Sequence, residues 1–403
     1  MTINKRFDLD KTYQYLLIAL SFLLPLTVFG ANLIIVSICF LWLFSGNYKA
    51  KYIQIISSKF IVASIVFYCL HILGLIWTED FQWGIHILHK MWYFLLLLPV
   101  LFSIVKKDYI RFYISAFLIA IAITEVASYL VWFELVAPFK YASVQNPTPF
   151  MSHISYNPIL AFAIYLVLHE LFFNKKMTNL LFSVYSFFAI SMTINMFITG
   201  GRAGQVVFFV MVSLIIFQIL DKKRVKSLMV ILLVIPGIFY TSYQLSDLFK
   251  DRVDWAVYEI TNYSDPQIAS SSVGLRINFT KNSWDIIKDN PLIGIGTGDF
   301  PSEYKKINQI NTPDLPNASN PHNMYILVLM QLGFLGLISM LSIFYFQIKR
   351  SFKSSNRFIR DAGFALPVMF LIMMLSDSYL LGHYTTLMYI FFSSFLYKDF
   401  EKN

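Results

Sequence analysis

Long apolar runs separated by short polar connections fill the chain from Tyr13 to Tyr243 and again from Met324 to Tyr397. Between them, residues 244–320 form the one long polar interval. A helix rises about 1.5 Å per residue, so roughly 17–25 apolar residues cross the hydrocarbon of a bilayer. The pattern predicts an all-α polytopic membrane protein with about twelve transmembrane helices. They fall near Tyr13–Phe29, Ala31–Ser45, Phe60–Trp77, Ile85–Val105, Phe112–Phe133, Ser155–Phe173, Leu180–Ile198, Gly204–Leu220, Ser227–Tyr243, Met324–Ile348, Ile359–Tyr379 and Tyr384–Tyr397. Pro25, Pro99, Pro158, Pro236 and Pro367 interrupt these runs, where a proline is expected to kink a membrane helix without ending it. Residues 1–403 read as one transmembrane domain, with 244–320 as an insert between the ninth and tenth spans. Inside the insert, Gly274–Asn290 has a helical period with Ile277, Trp284 and Ile287 near one side. Asp289-Asn290-Pro291 stops it, and Gly294 to Gly298 reads as a flexible turn.

Charge orients this pattern. Only 14% of the 403 residues are charged and 57% are hydrophobic, whereas a soluble domain carries about a quarter charged residues. The formal charge of +9 does not indicate nucleic acid, because the Lys and Arg residues gather in alternate gaps between apolar runs. Lys5, Arg6 and Lys11 precede the first run, and Lys49, Lys51 and Lys59 follow the second. Lys106, Lys107 and Arg111 follow the fourth, and Lys175 and Lys176 the sixth. Lys222 to Lys226 follow the eighth, Lys349 to Arg360 the tenth, and Lys398 and Lys402 the twelfth. The positive-inside rule then predicts both termini in the cytoplasm and the insert on the other side. Cys39 and Cys69 lie inside apolar runs and imply no disulfide framework. The first run lacks a small-residue cleavage site after it and is expected as a retained helix. The glycines at 294, 296 and 298 follow no strand and fall on the outer side, which argues against a nucleotide loop. Outside the cell there is no nucleotide pool, so chemistry there needs an already activated substrate delivered through the membrane.

A few residues on that outer side can carry chemistry. Arg202 sits in Thr199-Gly200-Gly201-Arg202-Ala203-Gly204, a tight turn whose glycines permit a sharp bend and the close approach of a ligand. A guanidinium there can clamp phosphate with a planar fork of donors, or anchor the helix end among lipid headgroups. Arg276 lies near the start of the insert helix, where a solvated surface role is the alternative to a functional one. His322 follows Asn320 and Pro321, which suit the cap and first position of the tenth helix. That places the imidazole in a first turn whose dipole disfavours protonation, as a general base requires. The alternative is an interfacial histidine bonded to a backbone carbonyl. Lys90 falls inside the fourth span and needs an anionic partner, either a substrate phosphate or Glu125 at similar depth. Asp377 and His383 near the last outer turn are further candidates. His71, His86, His89 and His153 do not make a metal-ligand set, and no Ser-His-Asp or paired-carboxylate pattern stands out.

Three pieces in one order resemble the O-antigen ligase and Wzy-type polymerase superfamily. They are Gly201-Arg202-Ala203; Arg276 followed by Trp284, then Asp289 to Gly296 and Phe300; and Pro321-His322-Asn323-Met324-Tyr325 followed by Gln331, Gly333 and Gly336. Gly201 departs from the serine often found before the Arg. The resemblance implies a glycosyltransferase of the C-type architecture in the bacterial inner membrane, with a periplasmic active site. It implies a polyprenyl (undecaprenyl) diphosphate-linked glycan as donor, lipid A–core or another glycan as acceptor, membrane lipids around it, no nucleic acid, no cofactor and no metal. It marks His322, Arg276 and Arg202 as catalytic. Arg202 and Arg276, with Lys90, would hold the donor diphosphate, where fixed cations offset the charge of the leaving group. In-line attack would invert the anomeric centre. Ligation of a finished glycan is the first reading and polymerisation by the same chemistry the second. A transporter or flippase would explain Lys90 and Glu125, but not an Arg and His set confined to one face.

Overall fold

In a computed structural model, which describes residues 8–221, 223–262 and 265–400, 18 α-helices follow one another and no strand forms. Lys5, Arg6, Lys222 and Lys402 of the charge pattern lie outside the described residues. The first half runs α1 Leu9–Leu23, α2 Val28–Phe44, α3 Tyr48–Ser57, α4 Lys59–Leu73, α5 Phe81–Trp92, α6 Leu98–Ile104, α7 Ile110–Trp132, α8 His153–Phe173, α9 Asn179–Phe197, α10 Arg202–Leu220 and α11 Arg224–Leu245. The insert contributes α12 Asp247–Thr261, α13 Pro266–Ala269, α14 Ser272–Asp289 and α15 Phe300–Asn311. The bundle closes with α16 Met324–Ser351, α17 Arg357–Met373 and α18 His383–Leu396.

Each of the twelve apolar runs contains a helix, but they are not twelve equal crossings. Among the described residues, seven helices are long and apolar enough to cross a membrane by length and composition, or eight if the bent pair α2 and α3, which turns by 118°, counts as one. The others are helices of 14 to 17 residues, short of the roughly 20 residues a bilayer core needs. Every side chain of α18 from Thr385 to Leu396 is buried, so this helix is solvated by protein. α11 is the reverse, with only Ser227 buried. Its Leu232, Leu233 and Tyr240 are exposed, an arrangement suited to lipid and not to water. This is an all-helical multi-pass membrane protein.

Two prolines behave differently from the other three. Pro25 lies between α1 and α2 and ends the first run at Leu23, with the Thr27 hydroxyl capping the next helix. The expectation that it would only kink one long helix is corrected. Pro99 is accommodated by a π-turn over Tyr93–Leu97 that joins α5 to α6; the wider turn relieves the clash a proline makes with the preceding turn.

The largest departure from regular helix is in α16, at Gly333 with φ +59° and ψ −158°. The break frees two carbonyls and two amides, and the segment after α14 satisfies all four. The Ile295 and Gly296 amides donate to the Met330 and Gln331 carbonyls at 2.8 and 3.0 Å. The Phe334 and Leu335 amides donate to the Pro291 and Leu292 carbonyls at 2.8 and 3.2 Å. A Cβ at Gly294, where φ is +70°, would meet the Met330 carbonyl oxygen at 2.4 Å. The segment expected as a flexible turn is therefore a fixed plug. Further along, the Thr297 hydroxyl donates to the His71 carbonyl at 2.7 Å, and the Asp299 carboxylate accepts the Glu79 and Asp80 amides. The insert is thereby tied to the ends of α4 and α5.

Candidate functional site

Around the first turn of α16, several elements converge on a cavity of about 510 Å³. α5 contributes Trp83, Ile87 and Lys90, α14 contributes Phe279, the segment before α16 contributes Asn320 and His322, and the 377–382 loop contributes Asp377 and Tyr379. The helices point different ends at this place because the chain reverses between α4 and α5 and between α17 and α18.

His322 is not in the first turn of α16, as the sequence suggests. The helix starts at Met324 and its cap is Asn323, whose side chain accepts the Tyr325 and Ile326 amides. Asn320 has a different task. Its Oδ1 accepts the His322 amide at 3.0 Å and the Ser378 hydroxyl at 2.8 Å. With this support, His322 is held at φ +52°, in the left-handed region that a non-glycine residue rarely adopts. Its Nδ1 faces Asp377 Oδ1 at 3.2 Å, and its ring stacks on Phe279 with 6.1 Å between centroids. A carboxylate only accepts, so the contact puts hydrogen on Nδ1 and leaves Nε2 as the nitrogen with a free lone pair. Nε2 has no hydrogen-bond partner among the described residues.

Asp377 is well suited to that role. Burial alone would raise its carboxyl pKa, but the His322 hydrogen bond and charge, the Ser378 amide and the charge of Arg276 together hold it below the usual value. Tyr379 is pushed up to about 12, first by burial and then by the Asp377 charge. Arg276 acts on both residues through space, and its guanidinium makes no hydrogen bond or ion pair among the described residues. It stands one turn before Phe279 on α14, so the two share a face. Trp284 does not, for it is 46% exposed. The buried stripe is Phe279, Asn282, Ser283, Ile286 and Ile287, which corrects the face expected for that tryptophan. Asn282 ties this stripe to α15 through the Tyr304 hydroxyl and Thr312.

Lys90 lines the same cavity about 15 Å along α5 from its cap at Asp80. It does not meet Glu125, the internal partner considered above. Glu125 is buried on α7 and accepts the Ser191 hydroxyl. The third cationic candidate is placed apart. Arg202 opens α10 and donates to the buried carboxylate of Glu259 at 3.2 Å. Glu259 also accepts the Val273 amide at the start of α14. Burial raises the Glu259 carboxyl pKa, and the Ser271 hydroxyl, Arg202 and the Val273 amide lower it by more. Arg202 is thus linked to the helix that carries Arg276, while His322, Asp377 and Lys90 share the cavity. The glycines near Arg202 serve helix packing. A Cβ at Gly201 would meet the His153 carbonyl at 2.7 Å, and one at Gly204 would meet the Asn157 Cβ at 2.3 Å. A serine at position 201 would not fit without a shift, which gives the departure of Gly201 a local reason.

Glu259 carries no signal in the sequence, being one acidic residue in a mixed helix. Asp377 is legible only as a charge near the last outer turn. His383, named with it, contacts the Tyr93 hydroxyl through Nδ1 at 2.8 Å. Among the described residues no group of three or more His, Cys, Asp or Glu side chains converges as metal ligands would. Residues 187–341 match the family model described as O-antigen ligase. The match takes in Arg202, Arg276, His322 and the α16 break, and it supports the relation read from the three motif pieces. No curated protein matches the chain.

Proposed function

Because residues 187–341 match the family model described as O-antigen ligase, we propose that the protein is an O-antigen ligase of the inner membrane. It moves a glycan from a polyprenyl diphosphate carrier to lipid A–core on the periplasmic side. The observation that supports this most is the His322–Asp377 pair facing a cavity that Lys90 also lines, with Arg276 close enough to act on Asp377.

The chemistry follows from those groups. An acceptor hydroxyl oxygen attacks the anomeric carbon, and the bond from that carbon to the diphosphate oxygen breaks. The leaving group departs with its electron pair. His322 Nε2 takes the hydroxyl proton, and Asp377 steadies the imidazolium through Nδ1. Arg276 and Lys90 face the growing charge on the diphosphate, where fixed cations act without a divalent ion. Arg202, outside the His322 cavity and paired with Glu259, would meet only a donor that extends beyond that cavity towards the start of α10. Attack opposite the leaving group inverts the anomeric centre.

Purified protein given lipid-linked glycan and lipid A–core, with a chelator present, tests the reading directly. Transfer to core, with the linkage inverted, is the expected product. Transfer only onto a second lipid-linked glycan would assign the polymerase reaction instead, and a strict need for a divalent ion would remove the cationic-clamp mechanism.

A further inference from the structure

At the end of the bundle away from the insert lies a second cavity, of about 730 Å³. It is enclosed by α3, the start of α4, the end of α6, the end of α16 and the residues after α18. Five cations line it, Lys59, Lys349, Arg350, Lys353 and Lys398, against one carboxylate, Asp399. Arg350 already engages Asp399 at 3.0 Å, and the Lys398 ammonium donates to the Val105 carbonyl at 2.9 Å. The side chains of Lys59 and Lys353 have no hydrogen bond or ion pair among the described residues, and Lys349 has only Tyr345. Like charges gathered on one cavity repel, and an anion between them relieves that repulsion.

The floor of this cavity is apolar. Phe60, Phe102 and Tyr397 are buried there, with Phe60 edge-on to the other two rings. α3 forms the rim, has no buried residue, and carries Lys49, Lys51, Tyr48 and Tyr52. It turns by 118° from α2, and its lysines and tyrosines are the residue types an interfacial helix carries. A cationic rim over an aromatic floor matches an amphiphile and not a free ion.

We infer that this cavity binds an anionic glycerophospholipid of the adjacent leaflet, its phosphate against Lys59, Lys349 and Lys353 and its first acyl carbons over Phe60 and Phe102. The inference uses no residue of the His322 cavity and does not depend on glycosyl transfer.

Native mass spectrometry of the full chain in neutral detergent tests it, with phosphatidylglycerol, phosphatidylcholine and millimolar inorganic phosphate as probes. Wild type should prefer phosphatidylglycerol, and phosphate should not displace it. Replacing the three lysines with glutamine should weaken that binding on the order of ten- to a hundredfold, while arginine at all three should retain it. The single exposed change Lys353→Gln, a few-fold weaker, covers the case in which the triple variant does not fold. Arg276→Ala should bind phosphatidylglycerol like wild type. An unchanged lipid preference in the glutamine variants, or ready displacement by phosphate, would overturn the assignment.

Discussion

His322 is held in a left-handed backbone conformation by a neighbour's amide oxygen, a carboxylate and an aromatic ring. Such a conformation is unfavourable by about 1–3 kcal/mol unless the surroundings fix it, so the network and the side-chain role should be separable by mutation. His322→Ala should lower glycan transfer by roughly 100- to 10,000-fold with the protein still folded, as expected for loss of a general base. Asp377→Asn leaves the imidazole in place but removes the charge behind it, and should cost about 10- to 100-fold in turnover. Wild-type turnover by either variant in the purified assay removes the proton-transfer role. Arg202 and Glu259 can be told apart in the same assay. Arg202→Ala should abolish transfer, whereas Glu259→Gln, which keeps a hydrogen-bond acceptor, should retain part of it; equal loss would make Arg202 a positioning residue only. Acid sensitivity follows from the same carboxylates. Asp377 and Glu259 both titrate below their usual values when folded, so around pH 4 the unfolded chain binds more protons than the folded one. Their stabilisation is present at neutral pH and is lost as the pH falls below about 4. Thermal melts of Asp377→Asn should therefore lie below wild type at pH 7, and the gap should narrow as the pH falls below the ordinary carboxylate range.

At the scale of elements, the junction between α14 and α16 is the part that can be tested by geometry alone. The four backbone hydrogen bonds across the Gly333 break exist because the plug takes positive φ at Gly294 and Gly296. Gly294→Ala brings a Cβ to 2.4 Å from the Met330 carbonyl and should destabilise the protein by roughly 1–3 kcal/mol. Gly333→Ala should do the same, since its ψ of −158° at positive φ is open essentially to glycine alone. Melting temperatures in detergent measure both; an unshifted value would mean that the plug does not hold α16. The two motif pieces Pro291 to Gly296 and Gln331 to Gly333 are thus two sides of one backbone pairing. Sequence shows them as separate glycine-bearing stretches, because pairing between residues so far apart leaves no period in either.

For the whole molecule, α16 spans roughly 40 Å from Asn323 to Lys349 and separates two chemically different ends. The His322 cavity lies at one end and the lysine cavity at the other, as a helix bundle oriented by its basic gaps requires. Orientation itself is open to labelling. With Cys39 and Cys69 replaced by alanine, Asn290→Cys should react with a membrane-impermeant thiol reagent in intact cells and Lys353→Cys should not. The reverse pattern would put the insert in the cytoplasm and end the periplasmic reading. The sequence alone determined that the chain is helical and membrane-embedded, where the insert falls, and which Arg and His residues to suspect. Those properties are written in local hydrophobicity, charge and short motifs. Only the tertiary structure decided that seven helices among the described residues have spanning length, that Lys90 lines a cavity with His322 and does not meet Glu125, and that Arg202 is tied to Glu259. Each of these depends on which faces meet after the helices pack, and a buried carboxylate or a broken helix is recognised only by what surrounds it.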